Sequence, residues 1–231
     1  MAFKRQKPWR KIPINRYLFT PATYPGRRPR FSFFFTSKGI YRLKFRALRS
    51  LLQKHGLPSL DERYAILAYG SNACPDQLLN KNLTNVPVLY GRLKGAEAVY
   101  AGRKTQKGYV PATLARKGGK RSSWVTLLTR EQLAAMDTSE GRHHNTYVLA
   151  ELSDVQFFVG RSVFIPLYTY VNARGGVMTQ NGKPISLRST SQKRAKRLLA
   201  SASGEESSKF LDYVVIPDPN LPSRHSEIIR R

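Results

Sequence analysis

The chain contains many short apolar segments of β type and only a few short helical ones. Several of these segments end at a Gly or an Asn, which is typical of strands separated by turns. They cover residues 63–69, 88–101, 110–116, 123–128, 146–152, 155–159 and 163–171. Strands do not alternate regularly with helices, so the pattern does not indicate a βαβ arrangement. We predict an α+β fold built on a small mixed or antiparallel β-barrel with short flanking helices.

The helical predictions are fewer and shorter. Residues 75–80 and 192–201 have helical character, and Thr129 is a suitable N-cap for a helix over 131–136. Residues 38–55 predict a basic amphipathic helix, because apolar residues recur there near helical spacing. Gly118-Gly119-Lys120 predicts a hairpin turn, and Gly91 and Gly95 predict breaks in the strand 88–101.

A polar tetrad, Tyr69-Gly70-Ser71-Asn72, follows the apolar run 64–68. Gly allows a sharp turn at a strand tip, and the exposed N–H groups there can hold a carboxylate or a developing oxyanion. A second pair, Glu140-Gly141, follows the predicted helix at 131–136, and its carboxylate could move a proton. A plainer interpretation makes Gly141 a helix C-cap and the tetrad an ordinary turn.

Taken together, these motifs resemble those of the γ-glutamylcyclotransferase-like family, roughly over residues 63–172. The resemblance rests on Ala68-Tyr69-Gly70-Ser71-Asn72, Leu78, Leu127-Leu128, Leu133, Met136-Asp137, Glu140-Gly141 and Tyr147. Met136 stands where the family usually has Leu.

The resemblance implies a mixed β-barrel with packed helices and release of 5-oxoproline from a small γ-glutamyl substrate, without metal or organic cofactor. It implies that Glu140 is the catalytic acid/base, that residues 69–72 bind substrate, and that Tyr147 lines the pocket. We expect a basic rim around that pocket, formed by Arg103, Lys104, Lys107, Arg142 and Arg174. Such a rim would attract a carboxylated substrate or hold the domain on nucleic acid.

Charge is the second strong signal. The chain has a net charge of +26, and residues 1–55 hold fifteen Lys/Arg, eleven aromatic residues and no Asp or Glu. Basic side chains interleaved with aromatic rings fit RNA or another nucleic acid. The predicted contacts are Lys4, Arg5, Lys7, Arg10, Arg27, Arg28, Arg30, Arg42, Lys44 and Arg46. A basic arm without a defined partner is the alternative.

The remaining predictions concern organisation and location. We divide the chain into a basic, aromatic-rich extension (1–58), a γ-glutamylcyclotransferase-like domain (59–178) and a basic helical region with a C-terminal tail (179–231). No membrane span is predicted, and the expected location is cytoplasmic, or an organelle matrix if the N-terminal residues are a targeting segment. Cys74, the single cysteine, is expected to pack as a small residue after the tetrad.

Two functions follow. One is an enzyme that releases 5-oxoproline. The other is a non-catalytic member of the same fold that joins a ribonucleoprotein, such as a ribosome, through its basic extension.

Overall fold

The computed structural model describes residues 10–230, in which many strands and a few short helices form one large sheet and one small sheet. The strands are β1 (Lys11–Ile12), β2 (Phe33–Thr36), β3 (Gly39–Arg42), β4 (Tyr64–Leu67), β5 (Val86–Tyr100), β6 (Ala112–Leu128), β7 (Tyr147–Leu152), β8 (Gln156–Val159), β9 (Ser162–Ile165), β10 (Leu167–Asn172), β11 (Val177–Gln180), β12 (Lys183–Pro184), β13 (Ser203–Glu205), β14 (Tyr213–Val215) and β15 (Glu227–Arg230). The α-helices are α1 (Leu48–Lys54), α2 (Pro75–Asn80), α3 (Arg130–Glu140) and α4 (Gln192–Leu198). Short 3-10 helices cover Ile14–Tyr17, Pro21–Thr23, Phe45–Ala47, Leu60–Glu62, Ser71–Ala73, Arg142–His144 and Ser207–Lys209.

The large sheet is mixed. Its strand order is β1-β3-β2-β5-β6-β4-β10-β7-β14, and a branch through β8, β9 and β15 leaves β5. Strands β4 and β10 are parallel, whereas their other neighbours are antiparallel. The predicted α+β class with a mixed sheet and short helices is therefore confirmed.

Over residues 10–230, however, the sheet does not close into the predicted barrel. The long strand β5 explains this difference, because its free edge is shared between two other strands. Its first part pairs with β2 at Val86–Val88, and its middle pairs with β8 at Arg92–Lys94. Neither partner leads back to the far end of the sheet.

Strands β5 and β6 form one long antiparallel pair, where the sequence predicted two strands joined by a turn at 118–120. The pair runs from Val88 opposite Thr126 to Tyr100 opposite Ala112. Lys94 pairs with Lys120 and Gly95 pairs with Lys117, so Gly118 and Gly119 form a bulge. The predicted turn is wrong because glycines that indicate a turn also fit a bulge within a continuous strand.

Gly95 lies at this bulge, as predicted, but Gly91 does not break the strand. A Cβ at Gly91 would lie 2.2 Å from the carbonyl oxygen of Phe158 in β8. Glycine is needed there because the backbone of β8 approaches closely.

Side chains alternate between the two faces of the sheet, and each face has its own core. In β4 and the residues after it, Ala65, Leu67 and Tyr69 join one apolar cluster, while Tyr64 and Ile66 join the other. This period of two is the normal consequence of the pleat. It directs Tyr69 to the face on which the candidate site lies.

Residues 10–60 pack against the sheet and α2. Strands β2 and β3 extend the sheet beyond β5, and Phe33 and Phe35 are fully buried. Residues 33–36 of the extension therefore belong to the large sheet. The predicted helix at 38–55 is only partly right, because β3 occupies its first turn and α1 begins at Leu48.

Other boundaries also differ from the prediction. The segment 163–171 is interrupted at Pro166, which has no N–H to donate, so β9 and β10 are separate strands. The C-terminal tail contributes a strand, β15, which pairs with β9. Helix α2 spans its predicted range, and α3 begins after Thr129, whose side chain accepts a hydrogen bond from the Gln132 N–H. The division of the chain at 58 and 178 stays a prediction.

Within residues 10–230, none of the helices has the length and apolarity needed to cross a membrane.

Candidate functional site

A large cavity lies where the predicted tetrad and the end of α3 meet. We call it the tetrad cavity; its volume is about 860 Å³. It is lined by Tyr24, Leu67, Tyr69, Gly70, Ser71, Asn72, Gln77, Lys81, Arg103, Lys104, Thr105, Gln106, Lys107, Tyr109, Ala112, Ser139, Glu140, His144, Thr146, Tyr147, Tyr170 and Arg174. All six residues predicted for catalysis and substrate binding, Tyr69, Gly70, Ser71, Asn72, Glu140 and Tyr147, line this one cavity. Their roles stay predictions.

The tetrad forms the turn between β4 and α2. Gly70 precedes a short 3-10 helix at Ser71–Ala73, and α2 begins two residues later at Pro75. Among residues 10–230, no protein acceptor receives a hydrogen bond from the N–H groups of Gly70, Ser71 or Asn72. These donors are therefore available to a ligand with a negatively charged oxygen.

Arg28 supports the tetrad from behind. Its Nη1 donates to the carbonyl oxygens of Tyr69 at 2.8 Å and Gly70 at 3.0 Å. The guanidinium lies 4.3 Å from the centroid of the Trp124 ring, and burial lowers the pKa of Arg28 to about 10. A residue of the N-terminal extension thus fixes the backbone of the candidate substrate loop.

Glu140 lies at the last turn of α3, directly before Gly141. Gly141 has a φ of +64°, so it is also the left-handed C-cap of the plainer interpretation. That cap turns the chain away immediately after Glu140. The glycine ends the helix and the glutamate lines the tetrad cavity, so the two interpretations of the Glu-Gly pair do not exclude each other.

Lys81 joins Glu140 to the tetrad. Its ammonium forms an ion pair with Oε1 of Glu140 and donates to Oδ1 of Asn72 at 2.9 Å. The side chains of Lys81 and Glu140 are only 11% and 13% exposed. A poorly solvated ion pair is far more sensitive to loss of one partner than a surface pair. The structure therefore holds the carboxylate and the tetrad at a fixed short separation.

Four tyrosines form the inner wall of the tetrad cavity; Tyr24, Tyr69 and Tyr170 are buried, and Tyr147 is half-buried. Tyr24 accepts a hydrogen bond from the Ala112 N–H at 2.8 Å, and Tyr69 donates to the Tyr170 carbonyl. Burial raises the pKa of Tyr24, Tyr69, Tyr147 and Tyr170 above the usual tyrosine range, and the nearby charge of Glu140 adds to this effect. Their hydroxyls remain neutral near neutral pH and can donate hydrogen bonds.

The expected basic rim is present, with one correction. Arg103, Lys104, Lys107 and Arg174 line the tetrad cavity, but Arg142 does not. Arg142 is buried, pairs with Asp137 at 2.6 Å and donates to three carbonyls of the segment 216–220. The prediction for Arg142 is wrong because sequence alone does not distinguish a rim cation from one that binds the C-terminal segment.

Asp137 and the histidines take structural positions. Asp137 accepts from the Tyr170 hydroxyl at 2.5 Å as well as from Arg142, and burial raises its pKa. His143 lies 2.8 Å from Asp218, whereas His144 lines the tetrad cavity. Cys74 is buried, as predicted, and burial raises the pKa of its thiol.

The predicted nucleic-acid contacts are spread over several surfaces. Lys4, Arg5 and Lys7 lie outside the described residues. The side chains of six others are exposed: Arg10, Arg27, Arg30, Arg42, Lys44 and Arg46. Arg28 instead binds the tetrad carbonyls. Nucleic-acid binding by this set stays a prediction.

Sequence reasoning missed several residues of the tetrad cavity. Lys81 follows α2, and the helix places it beside Glu140, which is distant in sequence. Tyr24 and Tyr109 stack with ring centroids 4.6 Å apart, although one belongs to the extension and the other to the loop after β5. No local pattern identifies these residues, because only the tertiary fold brings their segments together.

Three solved structures are similar to this chain at low sequence identity. A γ-glutamyl cyclotransferase is 20% identical, with a TM-score of 0.41 over 48% of this chain and 67% of its own. An uncharacterised protein from Homo sapiens is 22% identical, with a TM-score of 0.40 over the same shares. YkqA from Bacillus subtilis is 15% identical, with a TM-score of 0.35 over 75% of this chain and 70% of its own.

No protein-family model matches the chain, and no curated protein matches it. The chemistry of the tetrad cavity therefore has to be inferred from its own residues.

Proposed function

We propose that the tetrad cavity binds a γ-glutamyl compound and that the protein converts it to 5-oxoproline and a free amine. One observation carries this proposal: the ammonium of Lys81 contacts both Asn72 of the tetrad and Glu140 at the wall of one cavity. A candidate acid/base and a set of free backbone donors thus face the same ligand volume. This is the arrangement that an intramolecular acyl transfer needs.

The charges of the cavity suit a ligand with an amine and at least one carboxylate. The free N–H groups of residues 70–72 can bind the α-carboxylate of the glutamyl group or the oxyanion formed at its side-chain carbonyl. The rim residues Arg103, Lys104, Lys107 and Arg174 attract further negative charge on the leaving amine. The carboxylate of Glu140 faces the positively charged α-amine.

In the proposed reaction, Glu140 takes a proton from the α-ammonium of the substrate. The amine nitrogen then attacks the γ-carbonyl carbon, and a new C–N bond closes the five-membered ring. The bond from that carbon to the leaving nitrogen breaks as Glu140 returns the proton to this nitrogen. The ring nitrogen gives up its second proton to the departing amine, which leaves as an ammonium ion. Atoms and charges balance, and the step requires no oxidant, reductant or added water.

Much of the rate enhancement in such a reaction comes from geometry. Nucleophile and electrophile belong to the same molecule, and fixing them in an attack conformation contributes up to about 7–11 kcal/mol to lowering a barrier. The tyrosine wall restricts the ligand, and Tyr24 supplies a hydroxyl whose oxygen lies 3.0 Å from where a Cβ on Gly70 would be. Tyr24 is therefore a candidate positioning residue from the N-terminal extension.

Lys81 has a separate role in this proposal. Its ion pair occupies Oε1 of Glu140, and within residues 10–230 no group donates a hydrogen bond to Oε2. Lys81 would hold the carboxylate in one orientation and leave the second oxygen to accept the proton. The cavity volume of about 860 Å³ is larger than the volume of a glutamyl group, so the cavity also has room for a leaving amine of amino-acid size or larger.

The test is release of 5-oxoproline by the pure protein from a panel of γ-glutamyl amino acids, γ-glutamyl amines and γ-glutamyl peptides. The Glu140→Gln variant should lose at least about a hundredfold in kcat/KM, since general acid–base catalysis contributes about 10²–10⁴. Glu227→Gln, on the exposed strand β15, is the matched control and should keep full activity.

Binding of 5-oxoproline, measured by calorimetry, separates a catalytic loss from a folding defect, because Glu140→Gln should still bind the product. The proposal is rejected if the wild-type protein turns over no member of the panel. It is also rejected if Glu140→Gln and Glu227→Gln are equally active.

A further inference from the structure

A second cavity lies on the other side of Arg28 and Trp124. We call it the arginine cavity; its volume is about 350 Å³. It is lined by Pro25, Arg28, Arg30, Tyr69, Tyr90, Arg92, Leu93, Glu97, Ala98, Arg121, Ser122, Ser123, Trp124, Leu187 and Arg188. Five arginines face one carboxylate in this small volume, which is an unusual concentration of positive charge for a structural cleft.

The acidic residue is already neutralised. Glu97 lies 3.5 Å from Nε of Arg121 and 3.8 Å from Nζ of Lys117. The guanidinium of Arg28 already donates hydrogen bonds to the carbonyls of Tyr69 and Gly70. The arginines whose guanidinium donors are free for a ligand are therefore the other three.

Those three arginines are Arg30, Arg92 and Arg188, and they are exposed. Within the described part of the chain, none of them forms an ion pair. Arg92 has a single weak contact, 3.4 Å from the hydroxyl of Ser122. Planar guanidinium groups with free donors bind phosphate in a bidentate manner.

Aromatic rings line the floor of the arginine cavity. Tyr90 and Trp124 have ring centroids 5.3 Å apart at 49°, so they form an open wedge. Arg28 covers one side of the Trp124 ring, and the Trp124 indole N–H donates to the Pro29 carbonyl, so this ring is fixed. Tyr90 is half-buried and lines the arginine cavity.

We propose that the arginine cavity binds a nucleotide, with its phosphate on Arg92 and Arg188 and its base beside Tyr90. Phosphate binding by arginine together with base stacking on an aromatic ring is the usual recognition of single-stranded nucleic acid. The net charge of +26 adds long-range attraction for a polyanion, so the nucleotide belongs to a single strand of RNA. This proposal is independent of the γ-glutamyl chemistry, because none of the three free arginines lines the tetrad cavity.

The experiment measures binding of a fluorescently labelled single-stranded oligoribonucleotide to the full-length protein by anisotropy, over a range of salt concentrations. The double variant Arg92→Gln/Arg188→Gln should bind about tenfold more weakly. Its log–log salt slope should be smaller by about 1.4, since each phosphate contact on a single strand contributes about 0.7.

The matched control is Arg130→Gln/Arg161→Gln. Both of these arginines are exposed, neither lines the arginine cavity, and the net charge changes by the same amount. The control should bind within about twofold of wild type. Equal weakening of the two double variants would show non-specific electrostatics and overturn the proposal, as would unchanged binding by Arg92→Gln/Arg188→Gln.

Two further arms complete the test. Tyr90→Leu should weaken oligonucleotide binding about fivefold or more while leaving binding of inorganic phosphate unchanged, because it removes only the stacking surface. Unchanged oligonucleotide binding by Tyr90→Leu would overturn the placement of the base. Competition by AMP distinguishes an RNA strand from a free mononucleotide. If AMP displaces the labelled strand at concentrations similar to those of unlabelled oligonucleotide, the ligand is a mononucleotide and the proposal of an RNA strand is overturned.

Discussion

Arg28 offers the sharpest test of how the N-terminal extension contributes to this protein. Replacing Arg28 by Met keeps most of the aliphatic stem and removes the guanidinium. Two charge-assisted hydrogen bonds, to the carbonyls of Tyr69 and Gly70, are then lost together with the stacking on Trp124. The two carbonyl oxygens would lie in a partly buried turn without their donor.

The magnitude follows from these contacts. Hydrogen bonds to charged groups contribute about 1.5–3 kcal/mol each, and a cation–π contact contributes roughly 0.5–2 kcal/mol. Desolvation of the guanidinium, visible in the lowered pKa of Arg28, offsets a large part of that sum. We therefore expect the Arg28→Met variant to lose about 3 kcal/mol of unfolding free energy. In a chain of this size that corresponds to a fall in Tm of roughly 6–12 °C.

The assay is urea denaturation followed by circular dichroism, with Arg27→Met as the matched control. Arg27 is the preceding residue and is exposed, so its replacement should change the unfolding free energy by no more than about 0.5 kcal/mol. Arg28→Lys should recover only part of the loss, because an ammonium does not stack as a planar fork. If Arg28→Met and Arg27→Met are equally stable, the extension does not support the tetrad and our reasoning fails.

Four further predictions follow from other contacts. Lys81→Met should lower the urea unfolding free energy by about 3 kcal/mol and should also lower kcat/KM, because it leaves the poorly solvated Glu140 carboxylate without a cation. Lys81→Arg should restore most of the unfolding free energy and most of kcat/KM. Tyr24→Phe should raise KM for γ-glutamyl substrates about tenfold while leaving Tm within a few degrees, because it removes one hydroxyl from the cavity wall. In a thermal melt, Gly91→Ala should destabilise the protein by about 3 kcal/mol, because its Cβ would lie 2.2 Å from a backbone oxygen of β8. Gly118→Ala is the control and should leave Tm unchanged, because there is open space around Gly118. In alkaline titration, tyrosinate absorbance should show that the four wall tyrosines are still protonated above pH ~10, because their pKa is raised in the folded state. Their contribution to the unfolding free energy is therefore complete below pH ~10. Above that pH each tyrosine should lower the unfolding free energy by about 1.4 kcal/mol per pH unit.

The candidate site could be located from the sequence because its motifs are local. A strand that ends in Gly-Ser-Asn and a helix that ends in Glu-Gly each carry their own turn chemistry, and both turns are present in the structure. What joins them is not local. Lys81 belongs to neither motif, and only the folded structure reveals that its ammonium bridges Asn72 and Glu140.

The fold class was also predictable, whereas the closure and register of the sheet were not. Strand segments can be recognised from period-two patterns, but the partners of each strand depend on contacts distant in sequence. Gly118 and Gly119 show the difficulty, since the same two residues fit a hairpin turn or a bulge. The long strand β5 has partners on both edges, and one of these is β2 from the extension. A reader of the sequence had no reason to add that strand to the sheet.

The composition of the extension predicts a nucleic-acid-binding arm, because it combines aromatic and basic residues. In the structure these two kinds of residue take different positions. Much of the aromatic content is used inside the protein: Phe33 and Phe35 are fully buried, and Tyr24 lines the tetrad cavity. These rings therefore cannot stack on bases in a folded chain. The positive charge is not used up in the same way, because Arg30 stays exposed on the arginine cavity beside Arg92 and Arg188 from later strands and loops. If nucleic acid binds here, deleting the extension would remove the fold along with the charge, so only paired point variants of surface arginines can separate the two effects.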